Sequence, residues 1–121
     1  MSDNNSKLTN LSFLRSLTGN ANDKMAKYIR MFVIGAPLSL QQIEMYSLNK
    51  DWDAVKQTAH ALKPQAGYFG AKGTEELLKE LERMTGDKVE LDRIPAMLIN
   101  LKSQLDLIID ELQVSLKELE G

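Results

Sequence analysis

The last quarter of the chain carries the most regular apolar pattern in the sequence. From residue 94 to residue 119 its apolar residues recur at steps of mostly three or four positions, which is the spacing of one face of an α-helix. They are Ile94, Leu98, Leu101, Leu105, Ile108, Leu112, Leu116 and Leu119. Because a helix of about seven turns cannot bury such a stripe by itself, the pattern requires other helices to pack along it.

The rest of the sequence supplies those helices. Three more amphipathic segments and a short one near the N-terminus are separated by brief connections, and no segment alternates in the manner of a β-strand. Their expected core residues are Leu8, Leu11, Leu14 and Leu17; Met25, Ile29, Phe32, Val33, Leu40, Ile43 and Leu48; Trp52, Val55, Ala59, Leu62, Ala66 and Phe69; and Leu77, Leu78, Leu81 and Met84. We therefore predict an all-α fold, an antiparallel up-down four-helix bundle with the short N-terminal helix capping one end.

Two local features refine this prediction. Pro37 is expected to break or kink the second helix, because its ring clashes with the carbonyl of Val33. Asp51 is a candidate N-cap for the third helix. Residues 1–7 are polar and are expected to be frayed, within a single domain that spans residues 1–121.

Composition excludes several classes of function. The chain has no cysteine, which rules out disulfides and thiolate metal sites and fits a reducing, cytoplasmic location. Its net charge is −2 with no tract of lysine and arginine, which argues against nucleic acid as a partner. The longest uncharged apolar run, residues 31–40, is too short to span a membrane, and the N-terminus does not have the pattern of a signal peptide.

The only histidine, His60, lies in the third helical segment. At 100° per residue, the centre of the apolar stripe of that helix lies about 130° from His60, so its imidazole should point to solvent. Lys63, Pro64 and Gly67 follow at three, four and seven positions, on or near the same face. Glycine and proline are costly inside a helix, so their presence here suggests that another molecule must approach the ring closely.

These residues carry a family resemblance. The run from His60 to Gly70 resembles the phosphorylation motif of histidine-containing phosphotransfer (HPt) domains, His-x-Leu-Lys-Gly-x-(Ala/Ser)-x-x-x-Gly. His60, Leu62, Lys63, Ala66 and Gly70 match it, and Gly67 is a small residue as in many members. Pro64 departs from the pattern, which usually has glycine there. The resemblance extends to an upstream segment with Met31, Phe32 and Pro37, and to the pair Asp51 and Trp52.

The resemblance implies a function. His60 would accept a phosphoryl group from the aspartyl phosphate of one receiver domain and pass it to an aspartate of another, in a multistep two-component phosphorelay. Lys63 can offset the charge of the phosphoryl group, and Lys56, Pro64 and Gly67 are candidate docking residues. The partners would be response-regulator receiver domains and a hybrid sensor histidine kinase. The Mg²⁺ ion and the acidic pocket would belong to the receiver, so this chain, expected to be a monomer, would need no cofactor.

Other functions have less support in the sequence. A lone histidine without a local base cannot build a nucleophilic enzyme site, and no phosphate-binding loop indicates ATP-dependent kinase activity. The acidic residues Glu75, Glu76, Glu80 and Glu82 are interpreted as helix surface, and no metal site is predicted. The remaining alternative is an HPt-like helical adaptor that binds partner proteins without carrying phosphate.

Overall fold

The computed structural model describes residues 7–121, which form five α-helices. Helix α1 spans Ser12–Thr18, α2 Asn22–Leu48, α3 Trp52–Tyr68, α4 Lys72–Asp87 and α5 Ile94–Glu120, with a 3₁₀ turn at Leu91–Arg93 before α5. The predicted fold class is confirmed: helices α2 to α5 form the bundle and α1 is the short N-terminal helix. The expected fraying of residues 1–7 falls almost entirely outside the described residues.

The bundle is held by the apolar faces that the sequence pattern indicated. Helix α3 packs mainly against α4, and α2 mainly against α5, with further contacts between α2 and α3 and between α4 and α5. Fully buried side chains from all of them meet in one core, among them Ile29, Ile43, Leu62, Leu78 and Leu101. Phe32 of α2 packs against Phe69 at the end of α3, with ring centroids 4.9 Å apart.

The segment before α1 is hydrogen-bonded to helix α5 and to the C-terminal end of α3. The carboxylate of Glu111 on α5 accepts hydrogen bonds from the backbone N–H groups of Leu8 and Thr9 and from the Thr9 hydroxyl, at 2.6 to 3.1 Å. The N–H of Asn10 donates to the carbonyl of Phe69 at 2.8 Å. These bonds fix the chain as it crosses the C-terminal end of α3, so α1 is anchored there.

The glycine that closes the histidine motif makes this crossing possible. Gly70 has a φ of +68°, and a Cβ at this position would lie 2.5 Å from the carbonyl oxygen of Asn10. Only glycine combines that conformation with so close an approach of two backbones. This motif residue therefore serves the fold.

Some local predictions need correction. Helix α2 continues without a break through Pro37, which lies inside it. Leu48 is 86% exposed because it is the last residue of α2, and Leu17 is 49% exposed, so neither belongs to the core. The predicted N-cap is confirmed, since the N–H of Ala54 donates to Asp51 at 3.3 Å. No helix among residues 7–121 has both the length and the apolar character needed to cross a bilayer.

Candidate functional site

The single histidine lies on the solvent side of α3. Val55, Ala59, Leu62 and Ala66 of this helix are buried in the core, whereas the His60 side chain is 67% exposed. The exposure predicted from the apolar periodicity is therefore confirmed. The ring is open to a second molecule.

A carboxylate from the neighbouring helix contacts the imidazole. Oε2 of Glu82, on α4, lies 2.6 Å from Nδ1 of His60. The Glu82 side chain is only 19% exposed, because α4 packs along α3 at this point. The interpretation of Glu82 as ordinary helix surface is therefore wrong: it belongs to the same site as His60.

The same carboxylate binds the lysine of the motif. Nζ of Lys63 donates to Oε1 of Glu82 at 2.8 Å, and the lysine side chain is 27% exposed. The hydrogen bond from Lys63 is the main cause that lowers the pKa of Glu82 below its ordinary value of 4.5. Partial burial opposes this shift, and the bond to His60 adds to it. Glu82 is consequently ionised at neutral pH.

This arrangement determines which ring nitrogen is available. An ionised carboxylate can only accept hydrogen bonds, so Nδ1 of His60 carries the proton that Glu82 accepts. In the neutral imidazole the other nitrogen, Nε2, then holds the free lone pair. A ring that is exposed, held at Nδ1 and unprotonated at Nε2 can act as a nucleophile toward phosphorus.

Lys56 lies on the other side of the site. Its aliphatic chain covers Gly86 of α4, where an added Cβ would come within 3.3 Å of its Cδ and Cε atoms. It borders a shallow cleft between α3 and α4 that is also lined by Lys63, Lys79, Glu82, Arg83, Gly86 and Asp87. Four of these seven residues are cationic and two are acidic, so the lining of the cleft carries a net positive charge.

The two compact residues after His60 are placed differently. Pro64 is exposed, inside an α3 helix that continues to Tyr68. Gly67 is half-buried, and the Glu75 carboxylate lies over it, 3.1 Å from where a Cβ would be. The space beside the histidine is thus open at Pro64 and partly covered at Gly67. Their docking roles, like that of Lys56, stay predictions.

Comparison with known proteins identifies the family. A family model described as the Hpt domain matches residues 27–118, which include His60, Lys63 and Glu82. The chain belongs to the Hpt domain family. Domains of this family act as phosphocarriers in two-component signalling.

Solved Hpt structures share the fold. Histidine-containing phosphotransfer protein B (HptB) from Pseudomonas aeruginosa PAO1 is 22% identical, with a TM-score of 0.83; the match covers 91% of this chain and 95% of that one. The Hpt domain of a sensor hybrid histidine kinase from Shewanella is 16% identical, with a TM-score of 0.79; the match covers 94% of this chain and 97% of that one. No curated protein matches the chain by sequence.

An aromatic cluster is exposed on this Hpt domain, two helical turns beyond His60. The Tyr68 ring stacks on Phe13 of α1, with centroids 6.0 Å apart and planes parallel within 1°, and lies 6.5 Å from the ring of Tyr28. Met31 and Met45 are also exposed, by 60% and 51%, and Tyr68 is 36% exposed. Helical spacing alone does not distinguish this second apolar face from the buried one.

Proposed function

We propose that this Hpt domain carries a phosphoryl group on His60, accepting it from the aspartyl phosphate of one receiver domain and passing it to an aspartate of another. One observation above all supports the proposal. The imidazole is 67% exposed, and its Nδ1 is bound to an ionised carboxylate, so that Nε2 is the nucleophilic nitrogen.

In this transfer the chain supplies the nucleophile, the imidazole of His60. Nε2 of His60 attacks the phosphorus of the aspartyl phosphate, the P–O bond to the aspartate breaks, and the aspartate leaves as a carboxylate. The proton on Nδ1 stays in place throughout. In the second transfer, an aspartate of another receiver attacks the phosphorus and the P–N bond breaks, which returns His60 to its original state. Lys63 is near enough to offset part of the charge of the phosphoryl group.

The surface around His60 supports a receiver domain as the docking partner. Cationic side chains line the cleft on the α4 side, and the aromatic cluster around Tyr68 offers apolar area at the end of α3. The candidate docking residues adjoin these two regions: Lys56 borders the cleft, Gly67 directly precedes Tyr68, and Pro64 lies between them along α3. In this proposal the acidic pocket and its Mg²⁺ belong to the receiver, and the chain works as a cytoplasmic monomer.

Phosphotransfer from purified receiver domains tests the proposal. The protein is incubated with receivers phosphorylated on aspartate, and the phosphate it acquires is tested for stability in acid and base. We expect acid-labile, base-stable phosphate on the wild-type chain and none on His60→Gln. Because His60 is exposed, the variant should keep the wild-type circular dichroism spectrum, with a change in stability below about 0.5 kcal/mol.

Two results would contradict the proposal. If the folded wild-type protein binds receivers but acquires no phosphate from any of them, it is a helical adaptor. If His60→Gln loses its helical signal, the histidine has a structural role.

A further inference from the structure

Helix α1 is too short to be stable by itself. It has seven residues, and isolated helices shorter than about 12 residues are marginal in water. Leu14 and Thr18 are its buried residues, and both lie in its middle or at its end. Contacts outside the helix are therefore needed to fix its first turn.

The chain just before α1 supplies these contacts. Residues 8–10, here called the N-terminal strap, are bound at two points. The Glu111 carboxylate of α5 accepts from the backbone N–H groups of the first two strap residues and from the hydroxyl of the second. The N–H of Asn10 donates to the carbonyl of Phe69, and its side-chain oxygen accepts from the N–H of Ser12 at 2.9 Å. The strap thus joins α5 and the end of α3 to the first turn of α1.

The first turn of α1 contributes one ring to the exposed aromatic cluster. Phe13 is 52% exposed, and its ring stacks on Tyr68 of α3, which also contacts Tyr28 of α2. The two tyrosines belong to long helices of the bundle, whereas Phe13 depends on the placement of α1. A shift of the first turn would therefore separate Phe13 from Tyr68 and change the shape of the cluster.

A receiver domain that reaches His60 can also cover this cluster. A standard protein interface buries about 800 Å² on each partner, which corresponds to a disc with a radius of about 16 Å. Tyr68 follows His60 by eight residues on α3, about 12 Å along the helix axis. The footprint of a receiver centred on His60 therefore extends to Tyr68, where the stacked rings offer a flat apolar area.

We propose that Glu111 is a positioning residue for receiver docking: by binding the strap it holds Phe13 on Tyr68, and so it sets the affinity for receiver domains. This inference rests on the proposed function of His60 and adds a residue to it. Glu111 acts through the strap and not on the imidazole. The chemical step at His60 should therefore be independent of Glu111.

The test uses two substitutions at Glu111 and one matched control. Glu111→Ala removes the acceptor of the strap, and Glu111→Gln keeps one accepting oxygen but places an amide donor against the N–H groups of the strap. Asp106→Asn removes an exposed carboxylate from the same helix, where it contacts Lys102. Circular dichroism first shows whether each variant is folded. If Glu111→Ala does not fold, the near-isosteric Glu111→Gln gives the same comparisons.

The first measurement needs no partner protein. Amide hydrogen exchange reports the strap, and nuclear Overhauser effects between the rings of Phe13 and Tyr68 report the place of α1. In wild type and Asp106→Asn we expect slow exchange at Leu8 and Thr9 and clear contacts between the rings. In Glu111→Ala we expect fast exchange at both amides and weaker ring contacts. Protected strap amides in both Glu111 variants would overturn the inference.

The second measurement separates docking from chemistry. Transfer rates are followed at increasing concentrations of phosphorylated receiver. We expect Glu111→Ala to raise the half-saturating concentration about fivefold and to leave the maximal rate unchanged. Phosphoramidate is a small donor: its P–N bond breaks, Nε2 of His60 takes the phosphoryl group and ammonia leaves. Because this donor needs no docking surface, it should phosphorylate Glu111→Ala at the wild-type rate.

A double variant tests whether Glu111 acts through Phe13. We expect Phe13→Ala to raise the half-saturating concentration by a similar factor, and the addition of Glu111→Ala to change it little further. Fully additive effects, or a wild-type half-saturating concentration in both Glu111 variants, would overturn the inference while the phosphotransfer function stands. If wild type binds receivers but acquires no phosphate, the proposed function fails. The receiver affinities of the same variants, measured by titration calorimetry, then still decide the role of Glu111.

Discussion

Nζ of Lys63 lies 2.8 Å from Oε1 of Glu82, so the lysine of the motif is already paired in the unmodified protein. A phosphoryl group on His60 would present Lys63 with a second anion. An ammonium group has three N–H donors and can serve both anions without leaving Glu82. The lysine can therefore hold the carboxylate in place and offset phosphoryl charge in the same state of the protein.

Replacing this lysine should weaken transfer. We expect Lys63→Met to slow phosphorylation of His60 by about tenfold, because the charge partner is lost and Glu82 is released from its fixed orientation. Reactions with a phosphorylated receiver, quenched at successive times, measure the rate of His60 phosphorylation. Lys102→Met, which replaces an exposed lysine of α5 outside this cleft, is the control and should transfer at close to the wild-type rate; equal rates for the two variants would remove Lys63 from the site.

The pairing of Glu82 should make stability depend on pH. Its pKa is lowered below 4.5 in the folded protein, so its contribution is fully present above that value and is lost as the pH falls through the lower, folded-state pKa. Glu82→Gln should thus be less stable than wild type at pH 7 and should approach wild type as the pH falls below the folded-state pKa of Glu82. Urea unfolding across this range measures the difference, and a difference independent of pH would show that the ion pair contributes nothing.

A larger side chain at position 67 tests whether the region beside His60 is a docking surface. Leucine there must displace the Glu75 carboxylate, which is the end of a flexible side chain, and it also favours the helix. We expect Gly67→Leu to stay folded but to transfer more slowly, and Gly67→Ala, with a single methyl group, to transfer at nearly the wild-type rate. Thermal melts measure the effect on stability, and transfer rates measure the effect on docking. Unimpaired transfer by the leucine variant would place Gly67 outside the docking surface.

Pro64 offers a second test of approach to the ring. It is exposed one turn after His60, so its replacement should leave core packing intact. We expect Pro64→Gly to preserve phosphotransfer and Pro64→Trp to impair it by crowding the imidazole, with both variants folded by circular dichroism. Normal transfer by the tryptophan variant would contradict close docking at this turn.

The motif glycine Gly70 should be essential for the fold. Its φ of +68° and the nearby Asn10 backbone leave no room for a Cβ, so Gly70→Ala should destabilise the protein by at least about 2 kcal/mol. Gly35→Ala is the matched control, because it lies within α2 with nothing within 4 Å of an added Cβ and should stabilise by about 0.5–1 kcal/mol. Denaturant unfolding of both variants measures the contrast; a small loss at Gly70 would mean that Asn10 moves aside easily.

The apolar periodicity predicted the bundle and the exposure of His60, because both depend on which face of one helix is buried. Glu82 could not be found in this way. It is 22 positions from His60 on another helix, and the relative register of α3 and α4 depends on how their side chains interlock. The only hint in the sequence was its position next to the apolar Leu81 on a strongly amphipathic helix. Many surface glutamates share such a position.

The remaining errors have a similar origin. Pro37 does not interrupt α2, because packing along a 27-residue helix outweighs the loss of one hydrogen bond. Leu17 and Leu48 have apolar side chains at helical spacing, yet they face solvent. A pattern of spacing shows that an apolar face exists, but the partner of that face is set by the tertiary structure.

The bond between Glu111 and the backbone of Leu8 joins residues 103 positions apart, and this has a consequence for the order of folding. Helices α3 and α4 can associate as chain neighbours, whereas this bond must close nearly the whole chain and so forms late. By the same reasoning it is among the first to open in native-state fluctuations. The N-terminal segment can therefore detach and return while α3 and α4 stay packed, so His60 and Glu82 keep their contact through such openings.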